Sequence, residues 1–439
     1  MGEIQRKALE HLWQFGASRK KVLDSGGPIV FEKGEGCYLI DVDGKRYIDG
    51  LSGAWVVNSG HRQPDIIKGI VNQYDDLEYA LSSEGFTNTK AIELAEKLSV
   101  ILPGHMDRVY FTCGGSEAVE IALRFARIYH KMTGNRKKDK IIARHGSYHG
   151  STLFALSVSG YDIISKSFGP TPEGIVKTTH PYCYRCEYEP DRCGYICADD
   201  LEKIILENGA ETVAAFIAEP ISANSGVAIP PKEYWQKIRS ICDKYNVLLI
   251  IDEVLTGFGR TGKLFGIENF QVEPDIITMS KGLTSGYAPL GAVAMKKSIS
   301  NRIPDNAFLP QGFTYSGHPV SCAAALANIK FMIDHKLPEN AKAMGNLLID
   351  GINKRLDGNP YIGDIRGIGL LICIEIDSSK MNREVQNFLS EYFLKKGLYT
   401  RVIKEYIHIA PPLIINSNEV EKIIHIVVSG IEELSKKYQ

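Results

Sequence analysis

Three short segments of the chain carry residue types that could perform chemistry, and each follows a run that predicts a β-strand. Gly115 and Ser116 lie between the strand-like run 107–112 and a helical run, so free N–H groups at the helix start could bind an anion such as phosphate. Asp252 ends a buried apolar run, where a carboxylate stays ionised only beside a cation or several donors. Lys281 follows another strand-like run, where desolvation favours the neutral, nucleophilic amine.

Each segment also has an ordinary structural interpretation. Gly115 and Ser116 could form a simple turn with a serine cap, Asp252 could cap a strand, and Lys281 could be a surface lysine. The combination is more specific, because a phosphate site, an acid for a ring nitrogen and an aldehyde-binding lysine are the anchors of pyridoxal phosphate (PLP). The chain places them in that order, each after a predicted strand, which indicates a PLP enzyme.

The runs between these segments predict the elements that position them. Continuous apolar strands at 212–218 and 247–251 alternate with helical runs, which is typical of a parallel sheet covered by helices on both faces. We therefore expect an α/β fold with a large domain at residues 61–325 and a smaller α+β domain at residues 326–439. The N-terminal segment, residues 1–60, should pack with the smaller domain.

The composition of the 439-residue chain argues against several classes of protein. Lys and Arg total 51 and Asp and Glu total 52, so the basic excess typical of a nucleic-acid binder is missing. No apolar run approaches the roughly 20 residues that span a membrane. Nine cysteines, in a long chain whose first residues show no apolar signal region, favour reduced thiols and a cytoplasmic protein.

Six segments of the sequence resemble the class III (ω-) aminotransferases of PLP fold type I. In chain order they are GSEA at 115–118, YHG at 148–150, AEP at 218–220, IDEV at 251–254, SKG at 280–282 and FTYSGHP at 313–319. The resemblance covers nearly the whole chain. It implies bound PLP, a large domain with a mainly parallel, seven-stranded sheet, a smaller α+β domain, and a homodimer or a tetramer.

The resemblance assigns the catalytic and ring-binding roles to five residues. Lys281 corresponds to the lysine that forms the Schiff base with PLP and later moves a proton on the substrate. Asp252 corresponds to the acid that holds the pyridine N–H and keeps the ring able to accept electrons. Glu219 supports the Asp252 side of the ring, while Tyr148 and Val254 contact the two ring faces.

The phosphate of the cofactor is assigned to Gly115 and Ser116 of one subunit and to Thr314 of its neighbour. Thr314 fills this role only across a subunit interface, so the resemblance implies an active dimer. Gly114 departs from the pattern, because many relatives have serine there. The departure removes one hydroxyl group near the phosphate and leaves the helix start intact.

The substrate residues implied by the resemblance are Arg401 and Trp55. Arg401 resembles a mobile arginine that binds a carboxylate bidentately, and Trp55 resembles an aromatic residue of the pocket; a surface arginine and a hydrophobic anchor are the structural alternatives. The ornithine, acetylornithine and GABA branches have a glutamate where this chain has Asn224, and an amide cannot neutralise Arg401. We therefore expect an amine or ω-amino acid as donor and pyruvate as acceptor. If the polar segment Leu81–Glu84 lines the pocket, it favours a short donor such as β-alanine or taurine.

Other classes of protein remain open at this point. An epimerase, an aminomutase or a decarboxylase would share the PLP anchors. The run GFGRTG at 257–262 has the glycine spacing of an NAD-dependent oxidoreductase, but a poor helix start follows it. Four thiols could also bind zinc in a non-catalytic binding protein, although their pairs lie close for a zinc ribbon and we expect no metal; they are Cys183, Cys186, Cys193 and Cys197.

Overall fold

A computed structural model of the chain describes residues 1–161, 167, 169–186, 193–307 and 312–437. The β-strands are β1 Phe31–Glu35, β2 Tyr38–Asp41, β3 Arg46–Asp49, β4 Met106–Thr112, β5 Lys140–Arg144, β6 Ile175–Thr178, β7 Val213–Ala218, β8 Leu248–Asp252, β9 Ile276–Met279, β10 Gly291–Lys296, β11 Ile362–Ile368, β12 Leu371–Ile376, β13 Leu398–Tyr399, β14 Arg401–Ile403 and β15 Tyr406–Ile409. The α-helices are α1 Glu3–His11, α2 Arg19–Asp24, α3 Ser52–Trp55, α4 Pro64–Asp76, α5 Thr89–Ile101, α6 Gly115–Met132, α7 Leu153–Val158, α8 Ile196–Glu207, α9 Lys232–Lys244, α10 Lys297–Ser300, α11 Pro319–Asp334, α12 Leu337–Leu356, α13 Arg383–Lys395 and α14 Ser417–Lys437. None of the described helices is both long and apolar enough to cross a membrane.

The central sheet has seven strands in the order β4-β10-β9-β8-β7-β5-β6. The pairs β5–β6, β5–β7, β7–β8 and β8–β9 are parallel, while β10 is antiparallel to both of its neighbours. Alternate residues of β8 face opposite sides: Leu248 and Ile250 pack with residues of α6, and Leu249 and Ile251 pack with residues of α9. The predicted α/β fold with a mainly parallel sheet covered on both faces is therefore confirmed.

Two smaller sheets have the strand orders β1-β2-β3-β13 and β11-β12-β15-β14. A turn that includes Asp43 and Gly44 joins β2 to β3, and Gly44 adopts a φ of 81° that favours glycine. β13 pairs in parallel with β3, with Leu398 opposite Ile48, so the N-terminal strands share a sheet with the C-terminal part of the chain. The domain limits at residues 60 and 325 stay a prediction.

The carboxyl ends of the parallel strands carry the residues that the sequence indicated. β8 ends at Asp252, Glu219 directly follows β7, and Lys281 follows β9 after one residue. Gly115 and Ser116 form the first turn of α6, which comes soon after β4. Because ligands of open α/β sheets bind at this edge, the fold places these residues where a common site can form.

Candidate active site

A cavity of about 170 Å³ lies at this edge of the sheet, and it gathers seven of the residues predicted from the sequence. They come from separate segments of the chain and are Gly115, Ser116, Tyr148, Glu219, Asp252, Val254 and Lys281. His149, Gly150, Asn224 and Ser280 also line the cavity. The structure thus brings the predicted cofactor residues together, apart from Thr314.

One end of the cavity is formed by the start of α6. The first N–H groups of a helix have no partner within the helix, and they carry its partial positive charge. No heavy atom lies within 4 Å of a Cβ placed on Gly114, so the space before the helix is open. A Cβ on Gly115 would lie 2.8 Å from Val254 Cγ1, so this position needs glycine. The Ser116 hydroxyl accepts a hydrogen bond from the N–H of Ser151 at 3.0 Å.

Asp252 is buried in the wall of the cavity and is held by three groups. The hydroxyl of Thr278 and the N–H of Val254 each donate to Oδ1 at 3.0 Å. His149 Nδ1 lies 2.7 Å from Oδ2. The sequence predicted that Asp252 needs a cation or several donors beside it, but it did not reveal which residues supply them. His149 is part of the YHG segment, but its contact with Asp252 spans 103 residues of chain and leaves no local pattern.

Glu219 lies behind His149 and is paired with a buried arginine. Arg144 Nη2 is 3.0 Å from one carboxylate oxygen, and the N–H of Tyr148 donates to the other at 3.0 Å. Burial alone would raise the pKa of Glu219, but His149, Arg144 and the N–H of Tyr148 overcome it and lower this pKa to about 2. Glu219 is therefore ionised in the folded protein. Sequence reasoning missed Arg144, although it ends the strand β5 as Asp252 ends β8.

Lys281 occupies a strained position beside the cavity, with a φ of 43°. Desolvation lowers its pKa to about 8; the charge of Asp252 opposes this shift, while Arg401 and Arg260 add to it. The amine is thus neutral far more often than that of a surface lysine, as the sequence predicted. A Cβ on the next residue, Gly282, would lie 2.5 Å from Asn58 Nδ2, so the turn that carries Lys281 is packed tightly.

Trp55 and Arg401 adjoin the lysine. The indole ring of Trp55 is buried; Lys281 Nζ lies 5.8 Å and the Arg401 guanidinium 5.7 Å from the ring. Arg401 is exposed, and within the described part of the chain its side chain forms no hydrogen bond or ion pair. The expected substrate residues therefore stand next to Lys281, with a guanidinium group available for an anion.

Thr314 lies on the surface of the single chain, away from the cavity. Its carbonyl accepts a hydrogen bond from the hydroxyl of Tyr79 at 2.9 Å. The segment Leu81–Glu84 does not line the cavity either; Ser82 Oγ lies 3.1 Å from Thr87 Oγ1. Neither segment can serve the cavity of its own chain in this arrangement.

The two rival patterns have different outcomes. The run 257–262 is a series of turns, and the segment Gly266–Phe270 that follows is a short 3-10 helix rather than an α-helix, so the geometry of a dinucleotide site is missing. The four clustered thiols are free, and no group of three or more metal-binding side chains occurs among the described residues. Residues 187–192, which lie between the two pairs of thiols, are outside the described residues, so the expectation that no metal binds here stays a prediction.

Comparison with known proteins now identifies the family. The sequence matches the family model of class-III aminotransferases over residues 22–431. The chain belongs to the class-III aminotransferases. A putrescine–pyruvate aminotransferase of Pseudomonas aeruginosa is 36% identical over 412 residues, which cover 92% of this chain and 90% of that protein. A probable gamma-aminobutyrate transaminase 4 of Oryza sativa subsp. japonica is 36% identical over 415 residues, covering 91% and 86%.

Solved structures agree with this membership. A thermostable (S)-enantioselective omega-transaminase from Thermomicrobium roseum matches this class-III aminotransferase with a TM-score of 0.94 at 38% identity, over 98% of each chain. The omega transaminase of Pseudomonas jessenii in complex with PMP matches with a TM-score of 0.94 at 33% identity, over 100% of this chain and 99% of that one.

Class-III aminotransferases depend on PLP, and the residues of the cavity fit this cofactor. The open helix start at Gly114 and Gly115 suits a phosphate group. The buried carboxyl group of Asp252 suits a protonated ring nitrogen, and the amine of Lys281, whose pKa is lowered to about 8, suits an aldehyde carbon. The PLP dependence expected from the sequence is confirmed.

The ion pair behind the site gives this class-III aminotransferase a specific acid sensitivity. Since the pKa of Glu219 falls from 4.5 to about 2 on folding, its ionised form stabilises the fold above pH 4.5, and this contribution is lost as the pH falls towards 2. Glu219→Gln should lower the free energy of unfolding at pH 7 by roughly 3 kcal/mol, because Arg144 keeps a buried, unpaired charge. It should also flatten the dependence between pH 4.5 and 2. Urea unfolding over a pH series measures both effects; exposed Glu10→Gln is the control, and an unchanged profile would contradict the pairing.

Proposed function

We propose that this class-III aminotransferase moves an amino group from a primary amine or ω-amino acid to pyruvate or a similar 2-oxo acid. The observation that carries the proposal is the unpaired guanidinium of Arg401, which shares the Trp55 ring with Lys281. Pyruvate has a carboxylate next to its reacting carbon, and a guanidinium can bind such a group with two parallel hydrogen bonds. The name of the Pseudomonas aeruginosa relative, a putrescine–pyruvate aminotransferase, supports this acceptor.

The donor class depends on Asn224, which stands where other branches of the family have a glutamate. Asn224 lines the cavity, and a neutral amide cannot take the charge of Arg401 when no carboxylate is bound. With a donor that lacks a carboxylate on its reacting carbon, the exposed Arg401 would instead turn towards solvent or towards a distal acid of the donor; β-alanine and taurine are short, polar donors with such a distal acid. Because relatives are named for putrescine and gamma-aminobutyrate, both compounds belong in the tests.

The proposed chemical roles centre on Lys281 and Asp252. When bound, PLP supplies an electrophilic carbon and a ring that accepts electrons. Lys281 would hold that carbon through its Nζ, and the same amine would act as the base that moves a proton from the reacting carbon of the substrate. Asp252, held by His149 and Thr278, keeps the proton on the ring nitrogen.

The remaining cavity residues are proposed to hold and orient the cofactor. Gly115 and Ser116 bind the phosphate through their N–H groups and the serine hydroxyl. Tyr148 and Val254 contact the two faces of the ring. Glu219 keeps the Tyr148 backbone in place through its hydrogen bond and supports the Asp252 side of the site.

A panel of donors tests the proposed function directly. β-Alanine, taurine, gamma-aminobutyrate, putrescine and a plain alkylamine should form alanine from pyruvate at different rates, and Lys281→Ala should abolish alanine formation from all of them because the base is lost. Borohydride should fix the cofactor on the peptide that contains Lys281, as peptide mass analysis can check. Turnover of an amino acid without alanine formation would favour the epimerase, aminomutase or decarboxylase alternative.

Arg401 should matter in only one half of the reaction. Arg401→Ala should slow the pyruvate half-reaction by about ten- to 150-fold in kcat/KM, since it removes a charge-assisted contact of ~1.5–3 kcal/mol. The half-reaction with a plain alkylamine should be nearly unchanged. Stopped-flow absorbance of the cofactor's aldehyde and amine forms separates the two. Lys404→Ala, an exposed lysine on the next turn, is the control; equal losses in both halves would mean that Arg401 is structural.

The position of Thr314 supports a homodimer, with a tetramer as the larger alternative. Leu81, Phe86 and Tyr315 are 43%, 69% and 60% exposed, and they belong to the two segments that meet where Tyr79 binds the Thr314 carbonyl. Large exposed apolar groups in one place are typical of an interface. We propose that this surface faces a second subunit, which would bring Thr314 to the partner's phosphate site. A cytoplasmic location, in keeping with nine free cysteines, also stays a proposal.

A charge placed on this surface should break the dimer. Tyr315→Glu should shift the protein to a monomer in sedimentation velocity and abolish activity together, because a buried carboxylate without a partner is costly. Leu206→Glu, which alters another exposed apolar residue at the end of α8, should leave both unchanged. A fully active monomer would contradict both the dimer and the role of Thr314.

A further inference from the structure

The GFGRTG run has a use that is unrelated to dinucleotides. The Arg260 side chain is fully buried, and its two Nη groups make four hydrogen bonds. Nη2 donates to Ser52 Oγ at 2.9 Å and Asn58 Oδ1 at 2.7 Å, and Nη1 donates to the carbonyls of Leu370 at 2.9 Å and Pro411 at 2.6 Å. One guanidinium therefore joins three distant segments of the chain.

The bonds to Ser52 and Asn58 hold the two ends of a strained segment, residues 52–58, which we call the pocket turn. Ser52 and Trp55 have φ values of 50° and 57°, in the left-handed region that L-residues rarely adopt. Further bonds hold the turn: Ser52 Oγ donates to the carbonyl of Ala410 at 2.7 Å, and the N–H of Gly53 donates to Asp49 at 2.8 Å. Strain of this kind persists only where the surroundings impose it, and it concentrates at functional sites.

The pocket turn carries Trp55, whose indole ring lies near both Lys281 and Arg401. Trp55 is buried with Lys281 Nζ at 5.8 Å and the Arg401 guanidinium at 5.7 Å from its ring. At its other end, Asn58 Nδ2 comes so close to Gly282 that any Cβ there would clash at 2.5 Å. Asn58 thus fixes one end of the turn against the Lys281 segment, while a shift of the Trp55 indole would be felt at the Arg401 guanidinium above it.

The chemistry of arginine suits this position. The acceptors of Arg260 are neutral oxygens of Ser52, Asn58 and two carbonyl groups, so the side chain acts through directed hydrogen bonds rather than through a carboxylate pair. A planar guanidinium presents its donors in a fixed fork, whereas the ammonium group of lysine offers only three donors on a flexible stem. Lysine at this position could not hold all four acceptors.

We propose that Arg260 is a positioning residue for acceptor recognition. By holding both ends of the pocket turn, Arg260 keeps the Trp55 indole in place, and the Arg401 guanidinium stays on this indole when no carboxylate is bound. Asn224 carries no charge and cannot hold Arg401 instead. The proposal rests on the proposed function, in which Arg401 binds the carboxylate of the 2-oxo acid.

The physical gain is preorganisation. A guanidinium over an indole face is attracted strongly enough to stay near the pocket and weakly enough to leave for a carboxylate. Without this surface, Arg401 would spread over solvent-facing rotamers. The binding of a carboxylate would then cost the conformational entropy that Arg401 loses. The effect should appear in the binding of pyruvate and not in steps that use a plain amine.

The first test measures the position of the indole without any reaction. In a Trp13→Phe background, which removes the fully exposed tryptophan, acrylamide should quench fluorescence more strongly in Arg260→Lys and in Ser52→Ala than in the parent. Ser59→Ala is the matched control, since it removes a buried hydrogen bond to Asn328 next to the turn without touching Arg260. Quenching that stays at the parent value in both Arg260→Lys and Ser52→Ala would overturn the proposal.

The second test uses the holoenzyme. Arg260→Lys should raise the KM for pyruvate by about tenfold, and Ser52→Ala by about threefold, with less than a twofold change in the alkylamine half-reaction. In an Arg401→Ala background neither change should add a further loss, because the group they position is gone. Losses that multiply in the double variants would overturn the proposal.

The two proposals fail in different ways. If the wild-type protein forms no alanine from pyruvate with any donor, the proposed function is wrong, and the quenching experiment alone then decides whether Arg260 positions Trp55. If alanine forms and both Arg260→Lys and Ser52→Ala behave like Ser59→Ala, only the role of Arg260 is wrong. Should Arg260→Lys fail to fold, Ser52→Ala keeps the arginine and decides both measurements.

Discussion

An ionised carboxylate buried at the mouth of a parallel sheet is the constraint around which the site is built. Asp252 must keep its charge out of water, so it is surrounded by donors, among them His149 at 2.7 Å. Behind His149 stands Glu219, and behind Glu219 stands Arg144. The guanidinium of Arg144 in turn lies 5.5 Å from the ring of Trp235 in the core. A line of contacts through Asp252, His149, Glu219 and Arg144 thus leads from the cavity to the hydrophobic core, and the packing of the core fixes the ring-binding side of the site.

The substrate side is held in a different way, by arginines that donate hydrogen bonds to loops. Arg260 holds the turn that carries Trp55. Arg366 Nε donates to the carbonyl of Gly226 at 2.7 Å, two residues from Asn224 of the cavity wall. Asp252, Glu219 and Lys281 sit at or just beyond strand ends, where the sheet itself sets the position of their backbone. The substrate residues sit on irregular segments, and long side chains from elsewhere impose their positions.

This difference explains what the sequence could predict. The strands β7, β8 and β9 are buried on both faces, so they read as largely apolar runs, and a charged residue at or just beyond the end of such a run stands out. Asp252 and Lys281 were found in this way. His149 and Arg260 act through partners that lie 103 to 208 residues away in the chain, and no local spacing records such contacts. The strands β13, β14 and β15 have two to four residues, too few for an alternating pattern to show. Roles that depend on a second subunit, such as that of Thr314, lie beyond any single-chain pattern.

The parallel pairing of β13 with β3 has a consequence for the order in which the protein can assemble during its synthesis. Close to this pairing, the Tyr399 hydroxyl donates to the carbonyl of Gly53 across 346 residues of chain. Trp55 and Arg401 flank this junction, so they cannot meet until almost the whole polypeptide has left the ribosome. Contacts between such distant residues close a very long loop and form slowly. The cofactor anchors between residues 115 and 281 are complete much earlier, so a nascent chain can build the part that holds the cofactor before it has any means of choosing a substrate.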